Sequence, residues 1–198
     1  MKAGREIIIM DLDGTLSGVN TFTLFVRIFF KRSPRCRLPL AWAVMQRKLR
    51  LISHSEAKGR ILRLFDKLGE EDIVEEVVNK IEGDIRPELA GMVGGSAYTV
   101  LATAAPGVYA VPLGRRLGFD LVLATKTDGR EMKGEEKVAA LESNGVKFGP
   151  DVKVYTDHYD DMPLCEANCR GENILINPSG ETCRKMQEAS ISFRIKSL

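Results

Sequence analysis

Two carboxylates two residues apart, Asp11 and Asp13, follow directly on the apolar run Ile7-Ile8-Ile9-Met10. In an extended strand, residues at that spacing project to the same side, so at the strand's carboxyl end both can face one substrate. Such a pair can divide the labour of hydrolysis. Asp11 attacks as a nucleophile, while Asp13 passes a proton to the leaving group and then takes one from water. The competing explanation is local: Asp-Gly after a strand is favoured turn chemistry, through side-chain hydrogen bonds and the tolerance of glycine for positive φ. The full string Asp11-Leu12-Asp13-Gly14-Thr15 after a buried-type strand weighs toward chemistry.

Three further segments carry residues of the right type. In Val100-Leu-Ala-Thr103-Ala104-Ala-Pro106 a hydroxyl and the following backbone N–H stand at the carboxyl edge of a strand, where oxyanions bind well; a hydroxyl there is also common on structural grounds. Gly134-Glu-Glu-Lys137 opens a helix, and its lysine could neutralise both the Asp11 carboxylate and an incoming anion, although lysines near helix starts are ordinarily solvated. Lys133, four residues earlier, is the competitor. The run Val152–Tyr155 leads into Thr156-Asp157-His158-Tyr159-Asp160-Asp161-Met-Pro163-Leu164. Carboxylates crowded after a strand repel one another unless a cation sits among them, and hard oxygen ligands suit Mg²⁺. The plainer alternative is an Asp-rich turn capping a helix.

The elements that must position these groups alternate. Glu6–Met10, Tyr98–Ala102, Asp120–Ala124, Val152–Tyr155 and Asn173–Ile176 are short apolar runs bounded by Gly, Pro, Asp or Asn, the pattern of buried parallel strands. Helix-length segments such as Val108–Leu117 and Glu135–Ser143 separate most of them, which implies βαβ units. The expected fold is therefore α/β, a Rossmann-like parallel sheet of about five strands flanked by helices. The interval from Thr15 to Gly95 breaks the alternation. There Thr21–Lys31, Leu40–Leu49, Glu56–Leu68 and Asp72–Ile81 read as helices, with Ser53-His-Ser-Glu56 a capping box and Pro34, Pro39 and Gly69 as breakers. An α-helical module over 17–95 is thus expected to interrupt a core formed by 1–16 and 96–198. From Thr182 onward the pattern weakens to what reads as a polar tail.

Composition narrows the classes. A chain of 198 residues with 44% apolar content can bury one ordinary core with one insertion. The net charge of +2 conceals a segregation: from Asn20 to Phe65 there are eleven Lys/Arg against Glu56 alone, leaving the remainder acidic. Cys36, Cys165, Cys169 and Cys183 lack zinc-site or Cys-x-x-Cys spacing, which implies reduced thiols in a cytoplasmic protein. The longest apolar stretch, Leu38 to Met45, is far short of the ~20 residues of a membrane span, and the start of the chain lacks the apolar run of a signal peptide. Nucleic acid is a disfavoured partner for the basic segment, to be revealed by steep salt dependence. The aromatic and basic residues together, Phe22, Phe25, Phe29, Phe30 and Trp42 among Arg27, Lys31 and Arg32, suit peripheral contact with the inner face of a membrane. Apolar faces packing inside the module account for them more simply. Oligomeric state is left open.

Taken together, these four segments resemble the motifs of the haloacid dehalogenase (HAD) superfamily, in order and over nearly the whole chain. Asp11-Leu-Asp13-Gly-Thr resembles the nucleophile motif, Thr103-Ala-Ala-Pro the second, Gly134-x-x-Lys137 the third, and Asp157 with Asp161, followed by Pro-Leu, the acidic fourth. The arrangement is similar to the helical-cap, phosphoserine-phosphatase-like subgroup, which also includes phosphatidylglycerophosphatase C, and Asn177-Pro-Ser-Gly180 fits it too. The stretch from Ala124 to Gly134 is shorter than in that subgroup. The resemblance implies a Mg²⁺-dependent phosphomonoester hydrolase in which Asp11 forms an aspartyl-phosphate and Asp13 is the acid–base. Thr103, the Ala104 N–H and Lys137 then bind phosphate, while Asp11, Asp13, Asp157 and Asp161 serve the metal. Dehalogenase members lack the second aspartate, so the presence of Asp13 points to oxygen leaving groups. The basic module, with Arg27 and Arg60 as candidate selectivity residues, implies an anionic small-molecule phosphate ester. A lipid phosphate at the membrane surface is the alternative, and a non-catalytic anion or nucleic-acid binding protein on this fold a second.

Overall fold

The computed structural model describes residues 5–68, 71–127 and 131–198, so Gly69, read as a breaker, lies outside the described residues. Its centre is one parallel sheet in the order β3-β2-β1-β4-β5-β6, built from β1 (Ile7–Met10), β2 (Tyr98–Pro106), β3 (Leu121–Thr125), β4 (Val152–Thr156), β5 (Glu172–Ile176) and β6 (Arg194–Lys196). The five expected strands are present with ends shifted by no more than one residue, except that β2 runs on to Pro106. The sixth agrees with a sheet of about five strands but corrects the expectation of a polar tail. After α9 (Gly180–Glu188) the chain returns to pair β6 with β5. Apolar alternation could not reveal β6 because side-chain amides hold it. Asn177 exchanges two hydrogen bonds with the Leu198 backbone at 2.8 and 3.0 Å, and the Asn173 amide donates to the Ser192 carbonyl at 3.1 Å.

Period-two alternation divides the core. Ile7 and Ile9 join Val100, Val152, Val154 and Leu175 beneath α7 (Glu135–Ser143), α8 (Met162–Ala167) and α9. Ile8 and Met10 point the other way, into a second cluster with α6 (Gly107–Leu117) and the helices between β1 and β2. Those are α1 (Thr21–Arg32), α2 (Arg37–Lys48), α3 (His54–Leu68), α4 (Glu71–Glu82) and the short α5 (Pro87–Ala90). Ser53 starts α3 as its spacing predicts, its hydroxyl accepting the Glu56 N–H at 3.1 Å. Pro39 does not break α2 but lies in its first turn, where a missing N–H costs nothing.

Apolar packing makes the inserted helices and the sheet one continuous cluster. Fully buried Phe25 of α1 meets Phe65 of α3 at 5.0 Å and Tyr109 of α6 at 5.5 Å between ring centroids. The packing explanation therefore holds for Phe25 and Phe29, which are both inaccessible, whereas Phe30 and Trp42 are exposed. Replacing Phe25 with Ala removes the ring common to three helices. The expected cost is about 3–5 kcal/mol, read as a lowered midpoint in urea unfolding followed by circular dichroism.

Candidate active site

In an open parallel sheet the crevice lies beyond the carboxyl ends of the strands where the strand order reverses. Here that point falls between β1 and β4. Met10 is in register with both Leu101 and Tyr155, and the Asp11 N–H donates to the Tyr155 carbonyl at 3.0 Å. The segments after β1, β2 and β4 therefore emerge side by side. They line a cleft of ≈ 250 Å³ that contains Asp11, Asp13, Thr103, Ala104, Lys137, Asp157 and Asp161. Every motif residue named from the sequence is thus brought to one place.

Lys137 organises it. Its side chain is 3% exposed, and its ammonium donates to Asp11 Oδ1 at 2.8 Å and to the Asp161 oxygens at 2.8 and 2.9 Å. Thr156 Oγ1 donates to Asp161 Oδ2 at 2.7 Å, so both Asp161 oxygens are engaged. The short connection before α7 does not prevent this reach. Two carboxylates share one ammonium, with clear consequences for protonation. Burial, opposed by Lys137 and reinforced by the Asp161 charge, pushes the Asp11 carboxyl up to about 7. For Lys137 burial alone would lower the pKa, but the two carboxylates outweigh it and raise it.

Asp13 is set apart. Its Oδ1 accepts the backbone N–H of Thr21 at 2.7 Å, at the N-terminus of α1. Burial raises its pKa despite that bond, which favours a carboxyl able to hold a proton. Behind it Thr21 Oγ1 shares a 3.0 Å hydrogen bond with Tyr109 Oη, and the phenol is raised well above its ordinary value by burial and by the Asp13 charge. Burial also raises Asp157, which accepts from Thr15 Oγ1 at 3.3 Å. On β2 the pairing with β3 shifts register between Thr103 and Pro106. Such an irregularity re-aims the backbone at a sheet edge, and it lies where Thr103 and Ala104 enter the cleft.

Several lining or supporting residues carried no distinctive sequence signal. Lys133, read as a competitor, pairs instead with Asp160 at 2.7 Å, and both line the cleft with Asn20 and His158. Lys58 of α3, 5% exposed, donates to the Ala104 carbonyl at 2.7 Å and to Glu131 at 2.8 Å, tying an inserted helix to the site. The Arg86 guanidinium donates to the Gly14 carbonyl at 2.7 Å and also to that of Thr15, while Asp84 accepts from Ser17 Oγ and the Gly18 N–H, each at 2.8 Å. These partners lie more than forty residues apart along the chain, so only the basic type of Lys58 was visible beforehand. Arg27 and Arg60 do not reach the cleft. Arg27 is exposed on α1, and Arg60 is held by Gln46 at 2.6 Å and Glu56 at 2.7 Å.

The cleft's chemistry suits a hard divalent cation. Five carboxylates, of Asp11, Asp13, Asp157, Asp160 and Asp161, face two ammonium groups, of Lys133 and Lys137. A like-charge pair at about 4 Å costs about 4 kcal/mol at an effective dielectric constant of about 20, so an anionic ligand needs further positive charge to enter. Among the described residues no three carboxylate, imidazole or thiol side chains converge on a single point. Asp161 has both oxygens engaged by Lys137 and Thr156, whereas Lys137 reaches only Oδ1 of Asp11 and Thr15 only Oδ1 of Asp157, and oxygen donors of this kind fit Mg²⁺.

Comparison with known proteins gives a consistent picture. The family model of the haloacid dehalogenase-like hydrolases matches residues 8–166. No curated protein matches the chain. Among solved structures, a protein of unknown function from Bordetella pertussis Tohama I superposes with a TM-score of 0.75 at 18% identity, covering 96% of this chain and 98% of that one. A phosphoserine phosphohydrolase-like protein from Francisella tularensis gives 0.58 at 16% identity over 96% and 94%. A probable phosphoserine phosphatase from Vibrio cholerae gives 0.67 at 13% identity over 95% of this chain and 59% of that one.

Gly14 makes the site sensitive to a single methyl. Its φ is +77°, and an added Cβ would stand 2.1 Å from Asp157 Oδ2. Gly14→Ala is expected to displace Asp157, costing about 1–3 kcal/mol, read as a lowered midpoint of thermal unfolding.

Proposed function

The chain belongs to the haloacid dehalogenase-like hydrolase family, and from its cleft we propose a Mg²⁺-dependent phosphomonoester hydrolase that acts through an aspartyl-phosphate on a small phosphorylated metabolite. One observation carries this reading: Lys137 joins Asp11 to Asp161 at 2.8 Å each, with Asp13 held apart in the same cleft. A carboxylate oriented by a buried ammonium is a positioned nucleophile, and a second carboxyl beside it, not bonded to that ammonium, can carry a proton. A charged pair serving structure alone would not need Asp13.

The first step has an Asp11 oxygen form a bond to phosphorus as the ester P–O bond breaks, while Asp13 gives its proton to the departing alkoxide. In the second step Asp13 takes a proton from water, whose oxygen displaces Asp11 from phosphorus and releases inorganic phosphate. Thr103 Oγ1 and the Ala104 N–H hold phosphoryl oxygens, and Lys137 offsets charge on Asp11 and the phosphoryl group. Asp11, Asp157 and the Asp13 backbone carbonyl would hold Mg²⁺, with Asp161 fixing Lys137. When bound, the ion neutralises carboxylates facing the substrate and polarises a phosphoryl oxygen. Residues 17–95 act as a cap on a core of 1–16 and 96–198, a division supported by the contact of Lys58 with Ala104.

Asp11→Asn is expected to lower hydrolysis of p-nitrophenyl phosphate by about a thousandfold or more without altering the circular dichroism spectrum. Chelation with EDTA abolishes the wild-type rate, and MgCl₂ restores it. Asp13→Asn loses more with an alkyl phosphate, by about 10²–10⁴, than with p-nitrophenyl phosphate, whose phenolate departs with little need of a proton. Wild-type protein that turns over no phosphomonoester in a panel of metabolites with MgCl₂ present overturns the reading.

A further inference from the structure

Large apolar side chains are exposed in one region. Among the described residues seven are, and six of them lie between residues 30 and 51: Phe30, Leu38, Trp42, Met45, Leu49 and Leu51. Leu38, Trp42, Met45 and Leu49 recur at intervals of four, three and four along α2 and its C-cap, with exposures of 85, 56, 43 and 62%. At about 100° per residue they form a single stripe. Leu40 and Ala43 on the opposite side are buried in the core. Scattered exposed leucines need no explanation, whereas a contiguous row does.

The charge along this stretch of the chain has one sign. No carboxylate occurs between Asp13 and Glu56. Arg35, Arg47, Lys48 and Arg50, on or beside α2, carry no ion pair among the described residues. Beside the stripe, a groove of ≈ 310 Å³ between α2 and α3 adds the apolar Ile61 and Leu64 and the basic Arg63 and Lys67, with Trp42 at its wall. Among the described residues no helix is long and apolar enough to cross a membrane, so a helix of this composition would lie in the plane of a surface.

We propose that α2 docks the protein on an anionic lipid bilayer, the Leu38-Trp42-Met45-Leu49 stripe entering the headgroup–acyl boundary and the exposed Arg35, Lys48 and Arg50 near it meeting lipid phosphates. Lipid satisfies both halves of the feature, since binding of such helices grows with buried apolar area and with attraction to anionic headgroups. A second copy of this chain would bring two rows of unpaired cations together. Nucleic acid would engage the cations and leave three aliphatic side chains of the stripe in water. Docking is separate from the chemistry at Asp11, and the two stand or fall independently.

Trp42 is the only tryptophan of the chain, so its fluorescence reads the stripe directly. The full chain is mixed with vesicles of phosphatidylcholine alone, or of phosphatidylcholine with phosphatidylglycerol, and sedimented. Cosedimentation with the anionic vesicles, together with a blue shift of Trp42 emission and protection from acrylamide quenching, is the expected result. The double variant Leu38→Glu/Leu49→Glu should lower the bound fraction by about tenfold or more with unchanged thermal unfolding, because both side chains are already in water. Leu38→Ile/Leu49→Ile should bind as wild type. Failure to bind anionic vesicles, or binding without a change at Trp42, overturns the proposal. So does an equal shift with duplex DNA, or a concentration-dependent shift without lipid, which would assign the stripe to nucleic acid or to self-association.

Discussion

The ammonium of Lys137, held between Asp11 and Asp161 and almost wholly out of water, is the interaction on which the arrangement of the cleft depends. A buried charge is tolerated only when paired and hydrogen-bonded, and breaking such a pair commonly costs 3–5 kcal/mol. The pairing therefore ties three elements together: the segment after β1, the start of α7 and the turn after β4. Because the two carboxylates outnumber the single ammonium, the group keeps a negative character that the protein alone does not neutralise. That shortfall, together with Asp157 nearby, gives a divalent ion a physical reason to bind.

The sheet makes this pairing possible at small cost. Strand order reverses between β1 and β4, which leaves a crevice where Asp11 and Asp157 leave adjacent strands and α7 can lower a lysine from one side. From the other side the inserted helices close in, and they do so as part of the main core. The aromatic cluster around Phe25 joins α1 and α3 to α6 beneath the sheet, and Lys58 carries that connection to the Ala104 carbonyl. A helical module fixed in this way can shape the approach to the cleft while its far side, the face of α2, is left to water or to a surface.

Much of the molecule is legible in the order of its residues because the signals are local. Period-two and period-3.6 patterns mark five strands and the main helices to within a few residues. Asp11, Asp13, Thr103, Lys137, Asp157 and Asp161 are each marked by their own neighbours, since a strand end or a helix start lies immediately beside them. The segregation of positive charge into residues 20–65 is equally plain from the residues themselves.

What escaped that reading is whatever depends on partners distant along the chain. β6 is held by Asn173 and Asn177 rather than by an apolar face, so alternation could not mark it. Lys58, Arg86 and Asp84 resemble any solvated charge until folding brings them against Ala104, Gly14 and Ser17, and Arg60, a candidate from its basic type, is turned toward Gln46 and Glu56. Residue types and short spacings determined which groups can do chemistry, because covalent neighbours fix the local backbone. Tertiary structure alone decided which of them meet, which cations are spent on one another, and which apolar side chains stay outside the core, because those outcomes are set by packing between segments the chain holds far apart.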